Sequence, residues 1–303
     1  MPVLFECTYR GRRHVGLELP ADGAPLRLRP LGGRDLRTLV VDAGGDPAAL
    51  AAALSDLPGE VTVPAEDREA VRMRPPLLPD HTGDAMVSGF MQTHNVKLEA
   101  DTPAQPNWFV KGLGDTLKLP GEDLRAPAGS VALCEEAEIV LVHVTDGDGE
   151  LHYAGYTFGN DLTDIGRFRR HRGHLSYAKL CDAAVAPWLF LDAPPRHVTG
   201  RVTIRREGAE GAVWKGEFTT GTKALHYGLD GMMSELFSYD TLRTPGRVHY
   251  VYIGADRSSF HGGHEMADGD RVTLEFTSHG VTLANTVRCP SLTAPEPAAR
   301  EGS

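Results

Sequence analysis

Two apolar segments joined by a short turn constrain the fold of this chain more than any other feature. The first, AEIVLVHVT, is largely apolar on both of its alternating faces, and the second, LHYAGYTF, follows directly after the turn DGDGE. A strand that is apolar on both faces is typical of a sheet that is covered on both sides. Asp-Gly pairs between two such segments are typical of a tight hairpin. The sequence therefore predicts a buried antiparallel hairpin.

Further strand-like segments run along most of the chain. HVTGRVTIRRE, VWKGEFTT, RVHYVYIGA and DRVTLEFTS are separated by Gly- and Pro-rich turns, and VLFECTY, TLVVDA and EVTVP precede them. Two helices are predicted, PAALAAALSDL with Asp46 as its N-cap and Pro47 in its first turn, and a second one over about residues 226–238. These patterns favour a mainly β or α+β fold.

Prolines and composition divide the chain into three parts. RMRPPLLPDHTGD interrupts the strand pattern, so we predict a small N-terminal α+β domain over residues 1–73 and a larger, strand-rich domain over residues 74–290. The tail, residues 291–303, contains little that a core would bury and is predicted to be disordered.

Charge and cysteine content narrow the classes of partner. The 303 residues carry a formal net charge of −10, which disfavours nucleic acid and anionic membranes as partners. No apolar run reaches the roughly 18 residues of a membrane span, and the start MPVLFECTYRGRRH lacks the apolar core of a signal peptide. The four cysteines form no CxxC pair. We therefore expect a cytoplasmic protein without a disulfide framework.

Carboxylates collect at the open end of the predicted hairpin. Glu136 and Glu138 open the first strand and Asp161 ends the second. With the turn centred near Gly147, Glu138 pairs near Phe158, and the three carboxylates come within reach of one another. Buried like charges are costly unless a cation compensates them, and an oxygen-only ligand set suits Mg²⁺, Mn²⁺ or Ca²⁺. The alternative is an exposed strand end that binds nothing.

These residues resemble the fumarylacetoacetate hydrolase superfamily, in which an ExE pair opens a buried strand and a GYTxxND segment follows it. Here the two motifs read EAE, from Glu136, and GYTFGND, which ends at Asp161. NWFVKG, APAGS, SYAKLCDAAVAPWLF, TPGRVHYVYIG and GVTLANTV also fit the superfamily. The resemblance covers about residues 75–290.

The resemblance implies a β-sandwich roll, usually a homodimer, that acts on a small anionic substrate. It implies an Mg²⁺ ion that Glu136, Glu138 and Asp161 hold. It further implies that a 2-oxo or β-diketo acid chelates this ion, which stabilises the enolate of the acid. Lys179 falls where the superfamily keeps an active-site lysine, with an exposed surface lysine as the alternative. Lys111 is a candidate for substrate binding, and a surface role is equally open.

The chain departs from the superfamily pattern in two places. LTDIG follows the ND pair and, together with SYAKL, resembles the branch that includes sugar-acid dehydratases. Near the C-terminus, Ala255 replaces the usual threonine after Gly254. We take Asp164, Arg167 and Gly254 as candidate substrate-binding residues. The basic run RFRRHRGH either lies over the pocket or forms a solvated loop, and HGGHE is a weak candidate for a second metal site.

Hydrolytic members of the superfamily activate water with a histidine and a glutamate near the start of the domain. The matching region, SGFMQTHNVKLEAD, offers His94 and Glu99 as that catalytic pair, and an ordinary loop histidine is the alternative.

Three functions remain open at this point. The first is a metal-dependent C–C bond hydrolase similar to acylpyruvases and fumarylacetoacetase, which His94 favours. The second is a lyase that dehydrates a 2-keto-3-deoxy sugar acid, which the sequence around Asp164 favours. The third is a non-catalytic binding protein of the same fold, for which the missing threonine at Ala255 is the argument.

Overall fold

Strands dominate residues 2–21, 23–98 and 102–292, which are the parts of the chain that a computed structural model describes. The strands are β1 (Val3–Tyr9), β2 (Arg12–Gly16), β3 (Leu26–Pro30), β4 (Val61–Val63), β5 (Arg72–Arg74), β6 (Ala85–Met91), β7 (Asn107–Leu113), β8 (Leu117–Lys118), β9 (Asp123–Arg125), β10 (Ala137–Thr145), β11 (Leu151–Asp161), β12 (Ala183–Val185), β13 (Trp188–Phe190), β14 (Val198–Arg205), β15 (Ala212–Thr220), β16 (Val248–Tyr252), β17 (Arg271–Phe276) and β18 (Val281–Arg288). The helices are α1 (Leu36–Asp42), α2 (Pro47–Ser55), α3 (Ile165–Arg170), α4 (Leu175–Ala178) and α5 (Leu229–Leu236). The predicted mainly β, α+β class is confirmed.

Two sheets pack against each other. A mixed sheet of 13 strands has the main order β4-β3-β2-β1-β13-β11-β10-β16-β6-β7, and a sheet of five strands has the order β15-β14-β17-β18-β9. On β10, Ile139 and Leu141 belong to an apolar cluster with residues of both sheets, whereas Val140 and Val142 pack against α1 and α2 on the opposite face. The prediction that this strand is covered on both sides is confirmed.

A β-bulge in the hairpin sets which side chains meet at its open end. Val142 pairs with Gly155 but His143 pairs with Tyr153, so Ala154 is an extra residue in β11. Between the bulge and the turn the register is the predicted one, and beyond the bulge it shifts by one residue. Because directly opposed residues share a face of the sheet, this shift puts Asp161 on the same face as the carboxylates of the opposite strand.

The N-terminal segment belongs to the same large sheet as the hairpin. Strand β1 pairs with β2 on one side, and on the other side it pairs first with β13 and then with β5. The domain boundary near residue 74 stays a prediction. The predicted cap of α2 is confirmed, because Asp46 accepts a hydrogen bond from Ala48 N and Pro47 is the first helical residue.

One predicted strand is wrong. TLVVDA lies mostly in α1, where Asp35 caps the helix by accepting from Arg37 N, and Leu36 and Val40 are buried one turn apart. The second predicted helix, over about residues 226–238, is confirmed as α5. No helix in the described ranges is both long enough and apolar enough to cross a bilayer. Leu292 packs against the core, and residues 293–303 of the predicted disordered tail lie outside the described residues.

Candidate metal centre

The three predicted carboxylates lie together at the open end of the β10–β11 hairpin. Glu136, Glu138 and Asp161 each offer an oxygen within 4.8 Å of the oxygens of the other two. Glu138 and Asp161 are fully buried, and the Glu136 side chain is 12% exposed. Backbone pairing holds the set together, since Asp161 N donates to Glu136 O at 3.0 Å. A compact, oxygen-only set of this kind matches the ligand preference of hard divalent cations.

Lys179 lies within this group. Its Nζ is 2.7 Å from Glu136 Oε2 and also donates to Asp161 Oδ2 and Thr163 Oγ1. The side chain is 1% exposed and lies over the Phe109 ring, with Nζ 4.5 Å from the centroid. Burial excludes the alternative of a surface lysine, and the structure brings Lys179 to the carboxylates as predicted.

The pKa values of Glu136 and Glu138 shift in opposite directions, because the two carboxylates have different charged neighbours. Burial alone would raise the pKa of Glu136, but the Lys179 and Lys97 ammonium groups hold it below its usual range. Burial raises the pKa of Glu138 well above its usual range, and the Asp161 and Glu136 carboxylates raise it further. Without a bound cation the group therefore favours a proton on Glu138, and a divalent cation would replace that proton.

Lys111 lies on the other side of Asp161. Its Nζ is buried, 2.7 Å from Asp161 Oδ1, and donates to Leu162 O at 2.6 Å and to Lys179 O at 3.2 Å. Apart from this ion pair, Asp161 Oδ1 has no hydrogen-bond partner among the described residues, so it has a lone pair available for a cation. The surface role is excluded for Lys111, and its predicted contact with substrate stays a prediction.

Gly254 fixes the position of Glu138. Its backbone N donates to Glu138 Oε2 at 2.6 Å, and its φ of +97° is in the region that favours glycine. A Cβ at this position would lie 2.0 Å from Thr93 Oγ1. The structure therefore gives Gly254 a contact with a candidate metal ligand, while its predicted contact with substrate stays a prediction.

Gly254→Ala is expected to lower the free energy of unfolding by about 1–3 kcal/mol more than a matched glycine substitution, because the added methyl must displace Thr93. The matched control is Gly121→Ala, since Gly121 has a φ of +93° and open space where its Cβ would lie. Urea unfolding of both variants measures the difference. Equal losses would show that backbone strain alone, and not the contact with Thr93, requires the glycine.

Asp164 and Arg167 organise the loop before β10. The Asp164 carboxylate caps α3 by accepting from Arg167 N at 3.1 Å, and it also accepts from Val131 N and Ala132 N. Arg167 Nη2 donates to Gly129 O at 3.0 Å. These contacts give both residues a structural role, and their predicted role in substrate binding stays a prediction.

His94 is buried with both of its ring nitrogens engaged. Nδ1 lies 3.1 Å from Thr93 Oγ1 and Nε2 lies 2.9 Å from Thr220 Oγ1. Burial and the nearby Lys97 ammonium lower the pKa of His94 to about 4. Its predicted partner Glu99 lies outside the described residues. The water-activating pair stays a prediction, and the observed position leaves His94 no ring nitrogen for water.

A cavity of about 500 Å³ opens next to Glu136. Its lining includes Arg169 and Arg172 from the basic run RFRRHRGH, for which the sequence left open a position over the pocket or a solvated loop. Sequence reasoning missed Lys97, whose Nζ is 3.5 Å from Glu136 Oε1, and it considered His261 only as part of a weak second metal site. A lysine three residues after His94 and a histidine in a glycine-rich loop were the available signals, and neither indicates this cavity by itself.

Glu135 holds the loop that carries His261. Its buried carboxylate accepts hydrogen bonds from Ser259 N, at 2.8 Å, and from Ser259 Oγ, and burial raises its pKa to about 7. His261 Nδ1 in turn lies 2.9 Å from Ser258 Oγ. The residue beside the first metal-ligand candidate thus fixes one wall of the cavity.

Solved structures match this chain over almost its whole length. The apo form of 2-keto-3-deoxy-D-arabinonate dehydratase has a TM-score of 0.69 at 16% identity, with 95% of this chain and 99% of that chain covered. A second structure, titled as that dehydratase complexed with magnesium and 2,5-dioxopentanoate, has a TM-score of 0.65 at 17% identity with the same coverage. A 2-hydroxyhepta-2,4-diene-1,7-dioate isomerase from Mycobacterium marinum has a TM-score of 0.60 at 18% identity, with 95% and 99% covered.

This chain has the fumarylacetoacetate hydrolase fold. The fold predicted from the resemblance is confirmed, and the matched structures include the sugar-acid dehydratases to which the segment after Asp161 is similar. No family model matches the sequence, and no curated protein matches it either.

Proposed function

We propose that this protein belongs to the fumarylacetoacetate hydrolase superfamily and is a magnesium-dependent lyase that dehydrates a 2-keto-3-deoxy acid related to the sugar acids. The observation that carries the proposal is the buried group of three carboxylates with Lys179, next to an open cavity with basic residues. The likeness to a dehydratase solved with magnesium supports it.

The metal would be held by Glu136, Glu138 and Asp161. Asp161 Oδ1, whose one partner is the Lys111 ammonium, the raised pKa of Glu138 and the oxygen-only composition all fit a divalent cation. Magnesium bound there would supply Lewis acidity to a chelating 2-oxo acid and so make the protons on C3 of that acid more acidic.

The chain's own residues bind and orient the substrate. Burial would lower the pKa of Lys179, but the Asp161 and Glu136 carboxylates raise it, so this lysine stays an ammonium at neutral pH. Lys179 is therefore a hydrogen-bond donor for a substrate oxygen and not a base. Lys97, which is close to Glu136 and lines the cavity, attracts an anionic substrate.

The alternatives have less support. A C–C bond hydrolase requires an activated water, and the observed contacts of His94 do not provide it. A non-catalytic binding protein would be indicated by the replacement of a metal ligand. Instead, all three candidate ligands are carboxylates, and their oxygens lie within 4.8 Å of one another. The homodimer expected from the resemblance stays a proposal.

Incubation with magnesium and a panel of 2-keto-3-deoxy sugar acids and acylpyruvates is expected to yield a product lighter than its substrate by one water. Because water only leaves in a dehydration, a reaction in ¹⁸O-water should place no label in a new carboxylate, once passive carbonyl exchange is subtracted. Mass spectrometry of the products measures both results.

Two outcomes of this assay contradict the proposal. Cleavage of an acylpyruvate with ¹⁸O in the new carboxylate would identify a hydrolase. The absence of turnover with every 2-oxo acid of the panel would support the binding protein.

A further inference from the structure

A second cavity lies in the N-terminal segment, between the start of β2 and the turn that follows β3. Its volume is about 500 Å³, and none of its lining residues lines the cavity next to Glu136. We call it the N-terminal cavity. Its polar lining comes from Arg12, Arg13, Gly32, Gly33, Arg34 and Asp80.

Two turns place Arg12 and Arg34 at this cavity. The two residues before Arg12 both have a positive φ, as a two-residue hairpin turn requires, so Arg12 is the first residue of β2. On the opposite side, Leu31 N donates to Arg13 O and Arg34 N donates to Leu31 O, both at 3.0 Å. The turn after β3 is therefore fixed to the start of β2, and the two arginines line the same cavity.

Two carboxylates close to the N-terminal cavity pair with other arginines. Glu6 is fully buried, and its Oε1 accepts from Arg13 Nε at 2.8 Å and lies 3.2 Å from Arg74 Nε. Asp80 accepts from Arg74 Nη2 at 3.0 Å, and its other oxygen lies 3.8 Å from Arg13 Nη1. These two carboxylates and two guanidinium groups balance one another in charge.

Arg12 and Arg34 therefore carry the excess positive charge. Both are exposed, and neither side chain forms an ion pair or a hydrogen bond with any residue in the described ranges. The backbone N–H groups of Gly32 and Gly33, in the turn after β3, also donate to no group that the structure describes. In a chain with a net charge of −10, two unpaired guanidinium groups and two backbone donors at one cavity indicate a site for an anion.

A strained backbone residue lies next to the same site. Leu77 is 1% exposed and has a φ of +64°, which a bulky side chain rarely adopts. It is in the loop that carries Asp80, and it lines a smaller cavity of about 380 Å³ that shares Arg13, Arg34 and Asp80 with the N-terminal cavity. Strain of this kind costs free energy and is concentrated at binding and functional sites.

We propose that the N-terminal cavity binds a phosphorylated small molecule, and that Arg12 and Arg34 bind its phosphate group. A phosphate presents three strong acceptor oxygens in different directions, so two guanidinium groups and the N–H groups of a turn can donate to it together. A carboxylate presents only two oxygens, in one plane. Guanidinium groups also bind phosphate through paired hydrogen bonds. The site uses neither the metal ligands nor a 2-oxo acid, so this inference does not rest on the proposed function.

Calorimetry in chelator tests the proposal with inorganic phosphate and succinate, which carry the same charge at mildly basic pH. Wild-type protein is expected to bind phosphate at least about tenfold more tightly than succinate, and Arg12→Gln and Arg34→Gln should each weaken phosphate binding about tenfold, the size of one charge-assisted hydrogen bond. Two control variants should change it by less than about twofold. They are Arg72→Gln, an exposed arginine on β5 that lines neither N-terminal cavity, and Arg169→Gln at the cavity next to Glu136.

Four outcomes would overturn the proposal. Wild-type protein that binds no phosphate up to about 10 mM lacks the site. An equal loss from Arg72→Gln would attribute the binding to general surface charge, and a loss from Arg169→Gln alone would move the anion to the other cavity. Equal affinities for succinate and phosphate would refute the assignment to a phosphate. Thermal unfolding without phosphate should be the same for Arg12→Gln, Arg34→Gln and the wild type, because neither side chain holds another residue in place.

Discussion

Glu138→Gln is expected to remove magnesium binding and to lower turnover on the order of 10³-fold or more, while the metal-free protein keeps at least the stability of the wild type. Metal ions contribute several kcal/mol to catalysis of this kind, and each 1.36 kcal/mol is a factor of ten. The metal-free variant is expected to keep its stability for an electrostatic reason. Because burial and the neighbouring carboxylates raise the pKa of Glu138, its ionised form opposes folding at neutral pH, and a neutral amide removes that cost.

Glu136→Gln is the matched comparison, and it should have the opposite effect on the metal-free protein. The Glu136 carboxylate pairs with Lys179 and Lys97, which hold its pKa low, so neutralising it removes favourable charge pairs. Thermal unfolding in chelator, followed by titration with magnesium, measures both effects. Wild-type protein should gain stability with magnesium, and neither variant should gain as much.

A Glu138→Gln protein that magnesium stabilises as strongly as the wild type would contradict the assigned metal site. Equal losses of stability for Glu136→Gln and Glu138→Gln in chelator would contradict the charge arrangement.

The hairpin and its carboxylates were predictable because their determinants are local. The alternating faces of AEIVLVHVT, the Asp-Gly turn and the two ends of the hairpin are all visible in one continuous segment. The bulge at Ala154 was not predictable, since it depends on how β11 packs against β13: a Cβ on Gly155 would lie 2.4 Å from Phe190 O. That single extra residue decides whether Asp161 faces the two glutamates.

The strand predicted over TLVVDA was wrong because local signals in that segment conflict. TLVVDA has the composition of a strand, but the cap at Asp35 and the burial of Leu36 and Val40 favour a helix. The buried position of His94 depends on a distant contact, since its Nε2 lies 2.9 Å from the hydroxyl of Thr220 on a strand of the other sheet, and its predicted role in activating water stays a prediction. No local pattern contains that information.

Lys179→Met is expected to destabilise the metal-free protein by about 3–5 kcal/mol, the usual cost of removing one partner from a buried ion pair. The substitution leaves the Glu136 carboxylate with Lys97 alone and the Asp161 carboxylate with Lys111 alone. Turnover should fall on the order of 10²–10³-fold, because a preorganised donor to the substrate oxygen is lost. Lys97→Met is the control for stability. Lys97 Nζ lies 3.5 Å from Glu136 Oε1, farther than Lys179 Nζ, and its side chain is partly exposed, so its removal should cost less.

Magnesium affinity distinguishes the catalytic role of Lys179 from a purely structural one. Removal of a buried positive charge next to the carboxylates lowers the repulsion that an incoming cation meets, so Lys179→Met should bind magnesium more tightly than the wild type while it remains inactive. Bound magnesium should also restore part of the lost stability. Calorimetry and unfolding with and without magnesium measure these effects. If magnesium restores both stability and full turnover, Lys179 serves only to balance the charge of the empty site and takes no part in catalysis.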